Sequence, residues 1–169
     1  MTHIINRSLL TAKEISILKA SDPTGLKNYS PISLLPVFLK TFERIMYNKV
    51  MCFLDGNNIL YKNQYGFRQK HSTIHSIINV LNQRALVNTS THKEVTLSFH
   101  CDLSKAFDVI KTDTLWNKLN YSDIRRVANQ MFASYLVNRK QYVKIGRTKS
   151  DVDFTNCGIS QGSILGPLL

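Results

Sequence analysis

The sequence is poor in residues that staple, coordinate or span. Three cysteines occur, Cys52, Cys101 and Cys157, far apart and with no CxxC pair. An odd, scattered set excludes a disulfide framework and a zinc site, and it suits a reducing, intracellular setting, nuclear or cytoplasmic and not secreted. No apolar run approaches the roughly 20 residues of a membrane span. The opening MTHIINRSLLTAKE lacks the apolar core of a secretory signal, so no membrane partner is expected. With seven glycines and four prolines and no repeat, the chain is neither collagen-like nor low-complexity. Walker A, GxSxG and HExxH patterns are missing, which removes the commonest P-loop, hydrolase and metalloprotease signatures. Negative charge is scarce too: 11 Asp and Glu stand against 22 Lys and Arg, a net charge of +11. A chain this basic repels itself unless it meets a polyanion, and nucleic acid is the usual one; a merely basic surface is the alternative.

What is present can fold. Hydrophobic residues make up 43% of the chain, enough for a core. Residues 10–36 read as irregular or short-stranded, with turns at Asp22-Pro23, Pro31 and Pro36. From Val37 to Leu54 the period is helical, with Phe38, Phe42, Ile45, Met46, Val50 and Phe53 on one face, and DGNN stops it with a glycine in a capping position. Thr73 can cap a second helix lined by Ile74, Ile77, Ile78, Leu81 and Ala85. Val95, Leu97, Phe99 and Cys101 alternate with Thr96, Ser98, His100 and Asp102, which predicts a strand with Asp102 at its polar end. A short helix from Asp113 or Thr114 to Leu119 is expected next. Ser122 can then cap another, with Ile124, Val127, Ala128, Met131 and Tyr135 inward. QYVKIG and VDFTNC flank RTKS as a hairpin, and GISQGSILGPLL is a glycine-marked turn entering an apolar segment. The interleaving gives an α+β or mixed α/β class.

Several residues carry possible chemistry. Asp102 is either a metal ligand on a rigid strand end or a solvated turn aspartate, and the local pattern favours the latter. Asp108 fits a turn cap before the next helix. The loop GFRQKHS sets Arg68, Lys70 and His71 beside Tyr65 and Phe67, a mixture that stacks on bases and pairs with phosphate, or else an ordinary solvated loop. His71 and His75 can share a helix face, but no third ligand is spaced to join them. In SQGS, Gly162 allows close backbone approach to a ligand, or marks a plain turn.

Five segments stand in order: NYSPISLLPVFLKTFERIMYNKV, NQYGFRQKHST, HCDLSKAFDVI, SYLVNRKQYVKIG and CGISQGSILGPLL. Together they resemble the reverse transcriptase of non-LTR (LINE-like) retrotransposons, the jockey and CR1-like groups above all, from about residue 11 to residue 169. The resemblance implies an α+β right-hand polymerase fold, with fingers over about 11–93 and an incomplete palm over about 94–169, the thumb absent. It implies RNA-directed DNA synthesis from dNTPs on an RNA template and DNA primer, with two Mg²⁺ ions, Mn²⁺ being the substitute. Asp102 then matches the first catalytic, metal-binding aspartate, assisted by the Leu103 backbone carbonyl. Phe107 matches the bulky position under the deoxyribose, and Asp108 a signature residue that does not bind metal. Gln161 and Gly162 match the nucleotide-facing motif, Lys19 a lysine facing the triphosphate, and Arg68 with Lys70 the template contacts.

Departures accompany the match. Ser30 stands where the family reads arginine, a charge-assisted triphosphate contact worth about 1.5–3 kcal/mol. Ser160 replaces the proline of PQGS, and Ile110–Thr112 read IKT in place of VNH. The family's Tyr/Phe-x-Asp-Asp motif is not matched, for no Asp-Asp pair occurs in the 169 residues. The isolated stretch is therefore expected to be inactive, and a non-catalytic nucleic-acid-binding remnant is the competing reading.

Overall fold

The computed structural model describes residues 5–19, 22–88, 97–155 and 157–169. In chain order the elements are β1 (Thr11–Leu18), β2 (Tyr29–Leu34), α1 (Val37–Gly56), α2 (Thr73–Asn88), α3 (Thr112–Tyr121), α4 (Arg126–Leu136), β3 (Arg139–Ile145), β4 (Thr148–Lys149) and β5 (Asp153–Thr155), with 3₁₀ turns at Arg7–Leu10, Leu26–Asn28 and Gly166–Leu168. This mixture is the α+β class expected. The chain divides into two compact units, Met1–Cys52 with Lys105–Leu169, and Phe53–Ser104.

In the first unit the short strands foreseen before Pro36 form. β1 and β2 run antiparallel, setting Glu14 opposite Ser33, Ile15 opposite Ile32 and Ser16 opposite Pro31. The strand order β2-β1-β3-β4 leaves β2 at an edge, where a proline without an N–H does no harm. On its other side β1 pairs parallel with β3, Thr11 opposite Lys140 and Glu14 opposite Val143. A hairpin forms, but with a tighter turn than expected: Thr148 and Lys149 of RTKS, expected as loop, form β4, and Lys144 opposes Lys149 across a turn in which Gly146 takes φ 57. β5 returns on β3, Arg139 opposite Thr155. Asn156 lies outside the described residues.

The helices stand where periodicity put them, but their faces are turned. In α1, Phe38 is 79% exposed and Ile45 is exposed, while Leu39, Glu43, Met46, Val50, Met51 and Leu54 are buried. Apolar residues cover so much of this helix that two stripes compete, and the buried one contains an acid that a hydrophobic pattern discounts. The helix is stopped at Asn58, which takes φ 52, with Ile59 N–H closing on Leu54 O at 3.0 Å; asparagine tolerates this left-handed turn as glycine does. α3 begins earlier than expected, at Thr112 after Lys111. Ser122 ends α3, its N–H donating to Lys118 O at 2.9 Å, and so does not cap α4, which starts at Arg126. Along α4 the buried residues are Asn129, Phe132, Tyr135 and Leu136, whereas Val127 is exposed. Asn129 donates to Asn120 Oδ1 at 2.6 Å and to Ile124 O at 3.0 Å, tying α4 to the end of α3.

In the second unit, α2 starts at Thr73 itself, and the cap is Ser72, whose N–H donates to His75 Nδ1 at 3.1 Å. The expected inner face of α2, Ile74, Ile77, Ile78, Leu81 and Ala85, is exposed. The strand expected to lead into Asp102 does not form over Leu97–Cys101, and Val95 and Thr96 lie outside the described residues. A strand persists only when a neighbour takes its N–H and C=O groups, and the sheet is built without this segment.

Candidate functional site

Two segments far apart in sequence are stitched together in the first unit. The AFDVI turn is tightened by Asp108 N–H donating to Lys105 O at 2.8 Å. Gly158 N–H then donates to Ile110 O at 2.8 Å, and Ile159 N–H to Phe107 O at 2.7 Å. Gly158 sits at φ 75, and a Cβ there would lie 2.8 Å from Phe107 O. Both the backbone angle and the close approach demand glycine. On the other side the loop meets the β2 edge: Ser33 N–H donates to Gln161 O at 2.7 Å. Gly162 takes φ 109, with space for a Cβ closed by Ser33 O at 2.9 Å. The edge strand's free N–H is thereby covered by a loop.

This seam brings Asp108 and Gln161 to one cleft of about 340 Å³, lined also by Glu14, Ser33, Arg139 and Gln141. Phe107, half-buried, lies in the stitched turn, and Gly162 is exposed in the loop. Ser30, at the position of the family's arginine, is buried in β2.

Three groups beneath this surface escaped sequence reasoning. Glu14 is buried and accepts from Ser33 Oγ at 2.5 Å; burial raises its pKa, with the Asp108 charge adding to this, while the Ser33 bond and Arg139 oppose it. Arg139 is 6% exposed, and burial lowers its pKa. Its Nη1 donates to Ser160 Oγ at 3.0 Å and its Nη2 to Gly158 O. Glu43 is 0% exposed, with Oε1 accepting from Tyr135 O–H at 2.6 Å and Oε2 from Ile164 N–H at 2.7 Å. Burial, then the Glu43 carboxyl, drive the Tyr135 pKa far up. The available signal for Glu43 was an acid inside the apolar stripe Leu39–Met46–Val50. Arg139 had only its place at the head of an alternating run.

The remaining predicted residues lie elsewhere. Lys19 is exposed at the end of β1, its N–H donating to Asn28 O at 2.7 Å. In the second unit Asp102 and Leu103 are exposed in a segment without regular structure. Arg68 is half-buried and pairs with Asp55 at 3.2 Å, and Lys70 is exposed at φ 61. His71 and His75 do not converge as ligands: their Nδ1 atoms contact Gln69 O at 2.9 Å and Ser72 N–H at 3.1 Å.

Magnesium needs hard oxygen ligands gathered in space. Among the described residues no three His, Cys, Asp or Glu side chains come together, and Asp102 stands exposed. The residues present do not by themselves fit a two-metal centre. No described helix is long and apolar enough to cross a membrane.

A family model for reverse transcriptase (RNA-dependent DNA polymerase) matches residues 17–169. The chain is 32% identical over 160 residues to the RNA-directed DNA polymerase from mobile element jockey of Drosophila funebris, covering 94% of this chain and 17% of that protein. It is 31% identical over 151 residues to its namesake in Drosophila melanogaster, covering 87% of this chain and 16% of that protein. A probable RNA-directed DNA polymerase from transposon X-element of Drosophila melanogaster is 31% identical over 142 residues, covering 84% of this chain and 15% of that protein. The chain thus spans about a sixth of the length of these relatives.

Proposed function

The chain belongs to the reverse transcriptase family, and we propose that it contributes the nucleotide-facing wall of an RNA-directed DNA polymerase from a non-LTR retrotransposon. The observation that carries this reading is the two-bond seam joining the AFDVI turn to the SQGS loop. In this reading Gln161 and Gly162 face the incoming dNTP, and the Phe107 ring occupies the space a ribose 2′-hydroxyl would need. Lys19 faces the triphosphate, Arg68 and Lys70 the RNA template, and Asp102 with the Leu103 carbonyl would supply oxygen ligands to a divalent metal. The right-hand arrangement of fingers and palm belongs to the same proposal.

The reaction is one of positioning. The primer 3′-oxygen attacks the α-phosphorus, the bond to pyrophosphate breaks, and the hydroxyl proton leaves with solvent. Residues of this chain align the nucleotide and exclude the wrong sugar. The stretch alone adds no nucleotides in this reading, since it offers Asp102 without an Asp-Asp pair. The test is incorporation of dTTP on poly(rA)/oligo(dT) in Mg²⁺ buffer by the stretch joined to its adjoining coding sequence. Incorporation by the longer protein is expected; none from it would contradict the proposal.

A non-catalytic nucleic-acid-binding role is the second reading, favoured by the +11 charge and the basic β3–β4 hairpin. There Lys144, Arg147 and Lys149 are exposed, and Lys149 Nζ lies 4.2 Å from the Tyr142 ring. It requires primer-template binding that weakens steeply with salt, and a salt-independent affinity rules it out.

A further inference from the structure

We propose that Glu43 and Arg139 are positioning residues that hold the SQGS loop in its nucleotide-facing shape. This inference rests on the reading of that loop given above. The loop is grasped from within by two ionisable side chains on different elements. Arg139, at the head of β3, takes the Gly158 carbonyl and the Ser160 hydroxyl. Glu43, in the middle of α1, takes the Ile164 N–H at 2.7 Å. Between these grips the loop carries Gln161, fixed through its carbonyl by Ser33 N–H at 2.7 Å, and the exposed Gly162.

Neither grip is what a core needs for stability. Burying a carboxyl group costs free energy unless its oxygens accept hydrogen bonds, and an apolar side chain in a helix stripe carries no such cost. Glu43 has neutral partners: its two oxygens are divided between a tyrosine hydroxyl and a loop amide. Arg139 likewise donates to a carbonyl and a hydroxyl. What these bonds add is a single loop geometry. The Tyr135 hydroxyl orients Glu43 from the far side, so the chain of contacts runs from α4 through α1 to the loop.

The variants Glu43→Gln and Glu43→Leu separate positioning from packing. In Glu43→Gln the amide oxygen can accept from Ile164 N–H, and the amide nitrogen can donate to a Tyr135 hydroxyl turned to accept. In Glu43→Leu both partners are stranded. Amide hydrogen exchange of the full chain is read first, because it needs no activity. Exchange at Ile164, and at Ser33 whose N–H donates to Gln161 O, is expected to quicken about tenfold in Glu43→Leu, one hydrogen bond's worth, and to stay near wild type in Glu43→Gln. Ser160→Ala, at a half-buried site, removes the Arg139 contact without a core change and is expected to quicken exchange at Ser33, whose N–H donates to Gln161 O, which keeps a test available if Glu43→Leu does not fold. In the polymerase-competent longer protein, Glu43→Leu is expected to raise KM for dTTP with little change in kcat, and Glu43→Gln to restore it. Unaltered exchange in Glu43→Leu, or in Ser160→Ala where Glu43→Leu does not fold, overturns the inference. Quickened exchange with no incorporation even by the unmutated longer protein leaves the positioning role standing and overturns the polymerase reading.

Discussion

Asp102 and Asp108 lie six residues apart in HCDLSKAFDVI, yet their surroundings differ in kind. Asp108 sits in a turn whose backbone is bonded to Gly158 and Ile159, some 50 residues later, and it faces a cleft with Gln161. Asp102 lies within the segment Leu97–Ser104, which is exposed and, among the described residues, makes no backbone bond to a distant part of the chain. Its neighbours' polar contact is local, Ser98 Oγ to His100 Nε2 at 3.0 Å. Nearness in sequence does not confer position. Order comes from distant partners that take up backbone groups, and one aspartate has them where the other does not.

The sharpest contrast is in the cost of losing an aromatic ring. Phe132, 0% exposed in α4, is expected to cost about 3–5 kcal/mol when replaced by alanine. Phe99, 86% exposed beside Asp102, is expected to change stability by less than about 0.5 kcal/mol when replaced by serine. Chemical denaturation of the two variants measures both, and equal effects would erase the distinction between the regions. Next in size is the seam itself. Gly158→Ala places a Cβ 2.8 Å from Phe107 O at a positive φ, so a loss on the order of 2–4 kcal/mol is expected. Gly56→Ala, with nothing within 4 Å and no positive φ, is expected to stabilise by about 0.5–1 kcal/mol. A Gly158 variant as stable as wild type would mean that the two segments are not joined as described.

The smallest effect is a pH dependence beneath the cleft. Burial raises the Glu14 pKa above its ordinary 4.5. The folded protein therefore binds this proton more tightly than the unfolded chain does. The stability this contributes is complete below pH 4.5 and is lost as pH rises through the folded value. Glu14→Gln keeps an acceptor for Ser33 Oγ and removes the titration. Relative to wild type it is expected to gain stability as pH climbs from 4 toward 7, read by denaturant midpoints. A constant difference across that range would show that Glu14 titrates as it does in the unfolded chain.

The elements of the first unit were legible where their patterns are long, although the pairing of β1 with the distant β3 was not. α1 stands close to its expected place and β1 and β2 are short strands within the stretch read as irregular or short-stranded, while β4 falls in RTKS, the expected loop. The orientation of α1 was not legible, since Phe38 and Leu39 offer equally good stripes and tertiary contacts choose between them. The strand at Leu97–Cys101 was read from alternation alone, and alternation states a preference without supplying a pairing partner. In the site, AFDVI and SQGS were found as motifs, but their seam was not, because backbone hydrogen bonds leave no trace in side-chain identity beyond the two glycines. Glu43 and Arg139 stayed hidden because periodicity weighs apolar residues and passes over a buried charge.

The central claim is that the stitched turn and loop form the wall that meets the incoming nucleotide. Its most direct test is the ratio of rUTP to dTTP incorporation by the polymerase-competent longer protein, with and without Phe107→Ala. Removing the ring opens the space beside the sugar, and the ratio is expected to rise by on the order of 100-fold, while dTTP is still used. A ratio that stays at the wild-type value in an active Phe107→Ala enzyme would contradict the account.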